Sequence, residues 1–225
     1  MIDLAGVAKR LTLPSGEPLD ILTDVTLHLE AGSTVAIVGR SGSGKSTLLN
    51  VMGLLDSYDS GSYRIDAVDA QTLGDRVASR LRGTTFGFVF QQFHLLDRRS
   101  ALANVAAPLT HGPRHEYASR DRRAMELLSR VGLADRAASL PSQLSGGEQQ
   151  RVAIARSLVR RPKVVLADEP TGSLDVETGA HVLDILLGLA REDGCAVVLV
   201  THDMQVASRA DRQLILEGGS LREAA

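Results

Sequence analysis

Short apolar runs with almost no polar interruption recur along the 225-residue chain: TVAIV at 34–38, FGFVF at 86–90, VVLA at 164–167 and AVVLV at 196–200. Runs of this length without alternation predict central strands of a parallel sheet covered on both faces. Residues 2–8 and 25–30 alternate instead, as half-buried strands do. Between them LPSGEPLD, at 13–20, reads as a turn-rich insert. A helix is predicted over 46–55, and residues 213–217 add a late strand. The stretch 92–161 has a different period. Ala124, Leu127, Leu128 and Val131 share one face of a helix over 121–131, and Val152, Ala155, Leu158 and Val159 share one face of a helix over 148–161. The pattern predicts an α/β fold with a mainly parallel sheet, an antiparallel β part near the N-terminus and an inserted helical subdomain. One domain spans 1–225, with 1–91 and 162–225 as its core and 92–161 as the insertion.

Composition narrows the function classes. Hydrophobic residues make up 44% of the chain and the net charge is −2, which fits a soluble globular protein and gives no bulk basic character for nucleic acid. Lysine occurs only at Lys9, Lys45 and Lys163. Cys195 is the single cysteine, so no disulfide forms within the chain, and its place beside a buried strand predicts a core thiol in a reducing compartment. The first residues lack the charged and apolar segments of a signal peptide, and no apolar run approaches the ~18 residues of a membrane span. A cytoplasmic protein is expected, acting on a membrane only through a partner.

The candidate chemistry starts at GRSGSGKST, residues 39–47. Gly39, Gly44, Lys45 and Ser46 fit GxxxxGK[ST], set between a predicted strand and a predicted helix as a phosphate loop requires. A P-loop NTPase core is therefore expected. Gly39, Gly42 and Gly44, with Arg40, Ser41 and Ser43 between them, let backbone N–H groups curl around an anion without Cβ clashes. The helix that follows adds the positive end of its dipole. Lys45 is expected to reach the β- and γ-phosphates of ATP, Ser46 to ligate Mg²⁺ and Thr47 to contact a phosphate oxygen.

Asp168 and Glu169 arrive together at the end of the apolar run 164–167. Two adjacent carboxylates there are costly unless a cation is bound. Mg²⁺ would supply one, with Asp168 expected in its outer shell and Glu169 expected to polarise the attacking water. Pro170 is expected to bias Glu169 towards extended backbone. A second helix start follows the same logic. Ser145 and Glu148 form an S-x-x-E capping box, but each glycine in a helix costs ~1 kcal/mol relative to alanine. Gly146 and Gly147 make sense where bare backbone approaches an anion.

With these residues assembled, the sequence resembles the nucleotide-binding subunits of the ATP-binding cassette superfamily, and the resemblance covers nearly the whole chain. LSGGEQQR at 144–151 matches the family signature. VVLADEP at 164–170 followed by TGSLD looks like the Walker B strand and the D-loop, with Asp175 as the D-loop acid. Gln91 looks like the Q-loop glutamine and His202, in VTHD, like the switch histidine. The resemblance implies an ATP hydrolase that works as a head-to-tail dimer. Ser145 and Gly147 of one copy bind the γ-phosphate held by the other. Gln91 bridges Mg²⁺ and the helical subdomain, and His202 contacts the γ-phosphate. FGFVFQQFHLLDRRSALANV is similar to the subgroup that serves macrolide-exporter and lipoprotein-releasing permeases. A separate integral-membrane permease is therefore the expected partner, at the cytoplasmic face of the membrane, with a drug, peptide, lipoprotein or haem as cargo. The same motifs also fit an ATP-driven mechanical partner that regulates envelope machinery without transport.

One position departs from the family. An aromatic side chain usually stacks on adenine about where AKRL ends, and here Leu11 stands there, with no aromatic residue before Tyr58. Stacking on an aromatic contributes ~1–3 kcal/mol in other nucleotide binders. Weaker adenine selectivity is expected. A P-loop kinase or GTPase would leave the signature and VTHD unexplained, and no Asn-Lys-x-Asp guanine reader is present.

Overall fold

The computed structural model describes residues 1–224. It begins with β1 (Ile2–Thr12), β2 (Pro18–Leu29), β3 (Thr34–Val38), α1 (Lys45–Met52), β4 (Ser60–Ile65) and β5 (Val68–Asp69). α2 (Asp75–Thr85), β6 (Phe86–Phe90), α3 (Ala101–Ala106), α4 (Arg114–Arg130) and α5 (Gly146–Leu158) follow. The chain continues through β7 (Val164–Asp168), α6 (Val176–Glu192), β8 (Ala196–Thr201), α7 (Met204–Ala207), β9 (Arg212–Glu217) and β10 (Ser220–Glu223). The result is an α/β fold with mixed strand pairing. It divides into two compact units, one of residues 1–82 with the chain from Ala196 onward, the other Gly83–Cys195.

In the first unit β1 pairs antiparallel with β2 and β4, and β4 with β5. β3 lies parallel to both β8 and β9, and β10 turns back along β9. Val35, Ala36 and Ile37 are fully buried, as are Val198, Leu199 and Val200, which is why these runs carry no polar alternation. β1 and β2 alternate in burial through Ile2, Leu4 and Val7 and through Leu22, Val25, Leu27 and Leu29. Here the structure corrects the expected turn-rich insert at 13–20. β1 runs up to its edge at Thr12 and β2 starts inside it at Pro18, with Leu11 opposite Leu19 and Thr12 opposite Pro18. Only a short turn remains, closed by Leu13 N–H to the Glu17 carbonyl at 2.9 Å. The hairpin tip is exposed on both faces, so no hydrophobic period marks it.

The second unit pairs β6 and β7 in parallel and adds α3, α4, α5 and α6. Val164, Val165, Leu166 and Ala167 are fully buried, as are Val152, Ala153, Ile154 and Ala155 of α5. α4 starts earlier than the predicted 121–131 because Arg114–Arg120 is polar and lacks the apolar stripe that Ala124, Leu127 and Leu128 supply. Buried Cys195 has its thiol pushed up to about 12, chiefly by burial, so it is an inert core group rather than a nucleophile. Among the described residues no helix is long and apolar enough to cross a membrane.

Candidate functional site

In the first unit, β3 delivers the chain into residues 39–44 and α1 leads it away. Gly44 is the N-cap of α1 with φ +96°, a conformation that favours glycine, and no side chain caps the helix. The first N–H groups of α1 therefore have no intrahelical or side-chain acceptor. A Cβ on Gly39 would stand 2.5 Å from Ser43 Oγ and 2.8 Å from the Leu216 carbonyl, so the loop can draw in only with glycine there. Lys45 is 8% exposed, and its Nζ donates to the carbonyls of Gly39 and Arg40, both at 2.9 Å. The ammonium is thus held at the loop by its own backbone. Arg40, Ser41, Gly42 and Ser46 are exposed, and Ser43 and Thr47 half-buried.

Adjacent strand ends bring His202 to the same edge. Val38 pairs with Thr201, so the phosphate loop and His202 leave neighbouring parallel strands at one end. Strand carboxyl ends are where open α/β sheets bind ligands. Asp203 N–H donates to Thr201 Oγ1 at 3.0 Å, and Asp203 Oδ1 accepts from Gln205 N–H at 2.8 Å, which caps α7 and fixes the turn that carries His202. Leu11, on β1, is 42% exposed.

In the second unit the same device recurs. Phe90 pairs with Asp168, so Gln91 and Glu169 leave neighbouring parallel strands together. Asp168 and Glu169 are half-buried. The extended geometry expected of Glu169 is not found: its φ is +46°. The turn that follows is closed by Gly172 N–H to the Glu169 carbonyl at 3.0 Å, and this closure overrides the bias from Pro170. A non-glycine residue in this region costs on the order of 1–3 kcal/mol, a strain common where function fixes a side chain. Gln91 stands against the same turn. Its Nε2 lies 3.0 Å from where a Gly172 Cβ would sit, and its carbonyl accepts from Ser173 Oγ at 3.1 Å.

Ser145 caps α5 in a capping box with Glu148. Its N–H donates to Glu148 Oε2 at 2.8 Å and its Oγ accepts from Glu148 N–H at 3.3 Å. The hydroxyl proton remains available to an outside acceptor. A Cβ on Gly147 would lie 2.5 Å from Thr178 Cγ2, so close packing of α5 on α6 also demands glycine there. Packing alone therefore accounts for glycine at this position. Asp175 is the N-cap of α6 and accepts from Thr178 N–H at 2.9 Å, which holds its carboxyl below the usual range. Two polar side chains of α5 escaped the sequence reading. Gln150 bonds the Pro170 and Phe90 carbonyls, and Arg156 bonds those of Phe93 and His94. A polar residue within the buried stripe of a helix was the available signal for Gln150.

Comparison with known proteins fits this geometry. The sequence profile of the ABC transporter family matches residues 22–172. The lipoprotein-releasing system ATP-binding protein LolD of Bordetella pertussis is 52% identical over 91% of this chain and 88% of its own length. The macrolide export ATP-binding/permease protein MacB 1/2 of Paracoccus denitrificans is 49% identical over 98% of this chain, which spans 33% of that longer protein. Among solved structures, the ATP-binding cassette MJ0796 as a post-hydrolysis dimer bound to ADP and Pi superposes with a TM-score of 0.88, at 41% identity, over 99% of this chain and 98% of that one. The bacterial cassette MJ0796 in a second dimeric structure gives 0.89 at 42% identity, over 100% of this chain and 98% of that one. An uncapped glycine-rich helix start, paired carboxylates at a strand end and a signature helix read together with these likenesses in one way: the chain belongs to the ABC transporter family and is one of its ATP-binding and ATP-hydrolysing cassettes.

Proposed function

We propose that two copies of the chain pack head to tail and share each ATP. Gly39, Arg40, Ser41, Gly42, Ser43, Gly44, Lys45, Ser46 and Thr47 of one copy grip the triphosphate. Ser145, Gly146 and Gly147 of the other close on its γ-phosphate. The observation that supports this most is the pair of helix starts, α1 uncapped at Gly44 and α5 opening on Ser145 with its glycines. A chain with one phosphate loop has a use for a second anion-ready start when another copy's triphosphate fills it. Residues 92–161 act as the helical subdomain inserted in the core of 1–91 and 162–225.

Mg²⁺ neutralises charge on the β- and γ-phosphates when bound. The exposed Ser46 hydroxyl and the Gln91 side chain would supply oxygen donors to it, and half-buried Asp168 would act through its waters, donor types of the kind Mg²⁺ takes. The Lys45 ammonium exchanges its backbone carbonyls for phosphate oxygens. Glu169 accepts a proton from the attacking water, His202 contacts the γ-phosphate, and Asp175 serves at the junction of the copies. Loss of the γ-phosphate bridge opens the pair, and this motion drives an integral-membrane permease from the cytoplasmic face. Relatives named for lipoprotein release and macrolide export support a hydrophobic or amphipathic cargo moved outward.

The pairing is tested with singly substituted copies in a Cys195→Ser background. A copy carrying Ser41→Cys mixed with one carrying Gly146→Cys should form a disulfide between copies in the presence of ATP and not in its absence. A crosslink yield indifferent to ATP argues against the arrangement. The base pocket makes a separate prediction. With Leu11 in place of an aromatic, GTP should be hydrolysed within about tenfold of ATP, and Leu11→Tyr should tighten ATP by roughly tenfold, as stacking contributes ~1–3 kcal/mol. Turnover of GTP far below that of ATP, or unchanged affinity in Leu11→Tyr, contradicts it.

A further inference from the structure

We propose that Gln150 is a positioning residue of the hydrolytic step, its side-chain amide fixing the spacing between the backbone that carries Gln91 and the backbone that carries Glu169. The proposal rests on the role given above to Glu169. Gln150 is 0% exposed on the buried stripe of α5 that also holds Gly147, Ile154 and Ser157. Its Nε2 donates to the Pro170 carbonyl at 2.5 Å and to the Phe90 carbonyl at 3.3 Å. Pro170 directly follows Glu169, and Phe90 directly precedes Gln91. One amide therefore ties together the exits of β6 and β7, where their own pairing stops at Phe90 and Asp168.

The chemistry of the amide says why glutamine stands there. Both N–H groups are used, but Oε1 is buried with no partner among the described residues. An apolar side chain of equal size would remove that orphan acceptor and leave two carbonyls without this donor. Stability alone gives little preference, whereas spacing of the two exits needs the donors. Arg156 reinforces the hold. Its Nη1 donates to the His94 carbonyl at 2.5 Å and its Nη2 to the Phe93 carbonyl at 2.8 Å. α5 thus grips the chain just before Gln91 and just after it, and the same helix begins with Ser145. A general base must lie within hydrogen-bond reach of its water, and a displacement of ~1 Å costs about 100-fold in rate.

Gln150→Met keeps length and volume and removes both donors. Gln150→Glu keeps shape and cannot donate to both carbonyls, since the ionised carboxylate has no donor and the protonated form has one. Each should lower kcat for ATP between 10- and 100-fold while KM for ATP stays within threefold, because the phosphate loop is untouched. Arg130→Ala, which breaks bonds to Glu192 and Asp193 away from the two strand exits, provides a control expected to leave kcat unchanged. A wild-type kcat in either folded Gln150 variant overturns the proposal. So does a rise in KM in step with the fall in kcat, or an equal loss in Arg130→Ala at the same shift in Tm. Loss of folding in both variants would make Gln150 a core residue and overturn it as well. Glu169→Gln assayed alongside separates the two levels. If it is inactive while Gln150→Met runs at full rate, only the positioning role fails; if it turns over normally, the underlying reading of the site fails.

Discussion

Glu169→Gln is expected to bind ATP as the unmodified chain does and to hydrolyse it 100- to 10,000-fold more slowly. The amide keeps the length and shape of the carboxylate but cannot take a proton from water, and loss of a positioned general base costs a factor of this size, about 3–5 kcal/mol of barrier. The substitution sits in a turn already closed by Gly172 N–H on the residue 169 carbonyl, and that backbone bond is unchanged. The phosphate loop belongs to the other compact unit and keeps its residues intact. Binding without turnover should accumulate the closed pair. Light scattering with Mg²⁺ and ATP should then report a dimer, and phosphate release should be near background. Turnover close to that of the unmodified chain would falsify the assignment of Glu169.

Ser145→Arg is expected to have an effect of similar size for a different reason. The residue belongs to no part of its own phosphate loop, so ATP should bind each copy with unchanged affinity. Removing the cap from α5 costs the helix about 1 kcal/mol, because Glu148 N–H loses its acceptor. That alone leaves a folded protein. On the proposed sharing of ATP the larger loss is at the nucleotide, where a guanidinium would fill the space for the γ-phosphate and the hydroxyl contact would be gone. Removal of a single preorganised donor of this kind lowers rates by ~100- to 1,000-fold. Equilibrium binding and phosphate release on the same preparation separate the two quantities. Retained turnover, or lost binding, contradicts the account.

The parts of the fold that were legible are those where burial leaves one reading. β3, β6, β7 and β8 are covered on both faces, so their apolar runs carried their assignment without help. α6 was legible too, through Val182, Leu183, Leu186 and Leu189, and went unread. α2 offered no such signal, since Thr85 is its sole buried residue. The hairpin tip at 10–20 is exposed, and 13–20 reads as a loop by composition although 18–20 pair with 10–12. The candidate motifs fall in the local settings their spacing predicts: the phosphate loop before α1, the paired carboxylates at the end of β7 and the signature at the start of α5. Two features were closed to motif spacing because they depend on residues distant in sequence: Thr178 sits where a Gly147 Cβ would go, and Gln150 spans the exits of two strands. A third is local, where the turn closed by Gly172 N–H holds Glu169 at positive φ against the bias from Pro170.

The sharing of each ATP between copies is tested most directly by a dilution series of the purified chain with saturating Mg²⁺ and ATP, with Ser145→Arg run beside it. The account predicts that phosphate release per molecule falls in proportion to concentration once the protein is diluted below its dimerisation range, and that Ser145→Arg stays near background throughout. A rate per molecule that holds constant on dilution and survives Ser145→Arg would show each copy completing the reaction alone, and the head-to-tail arrangement would have to be abandoned.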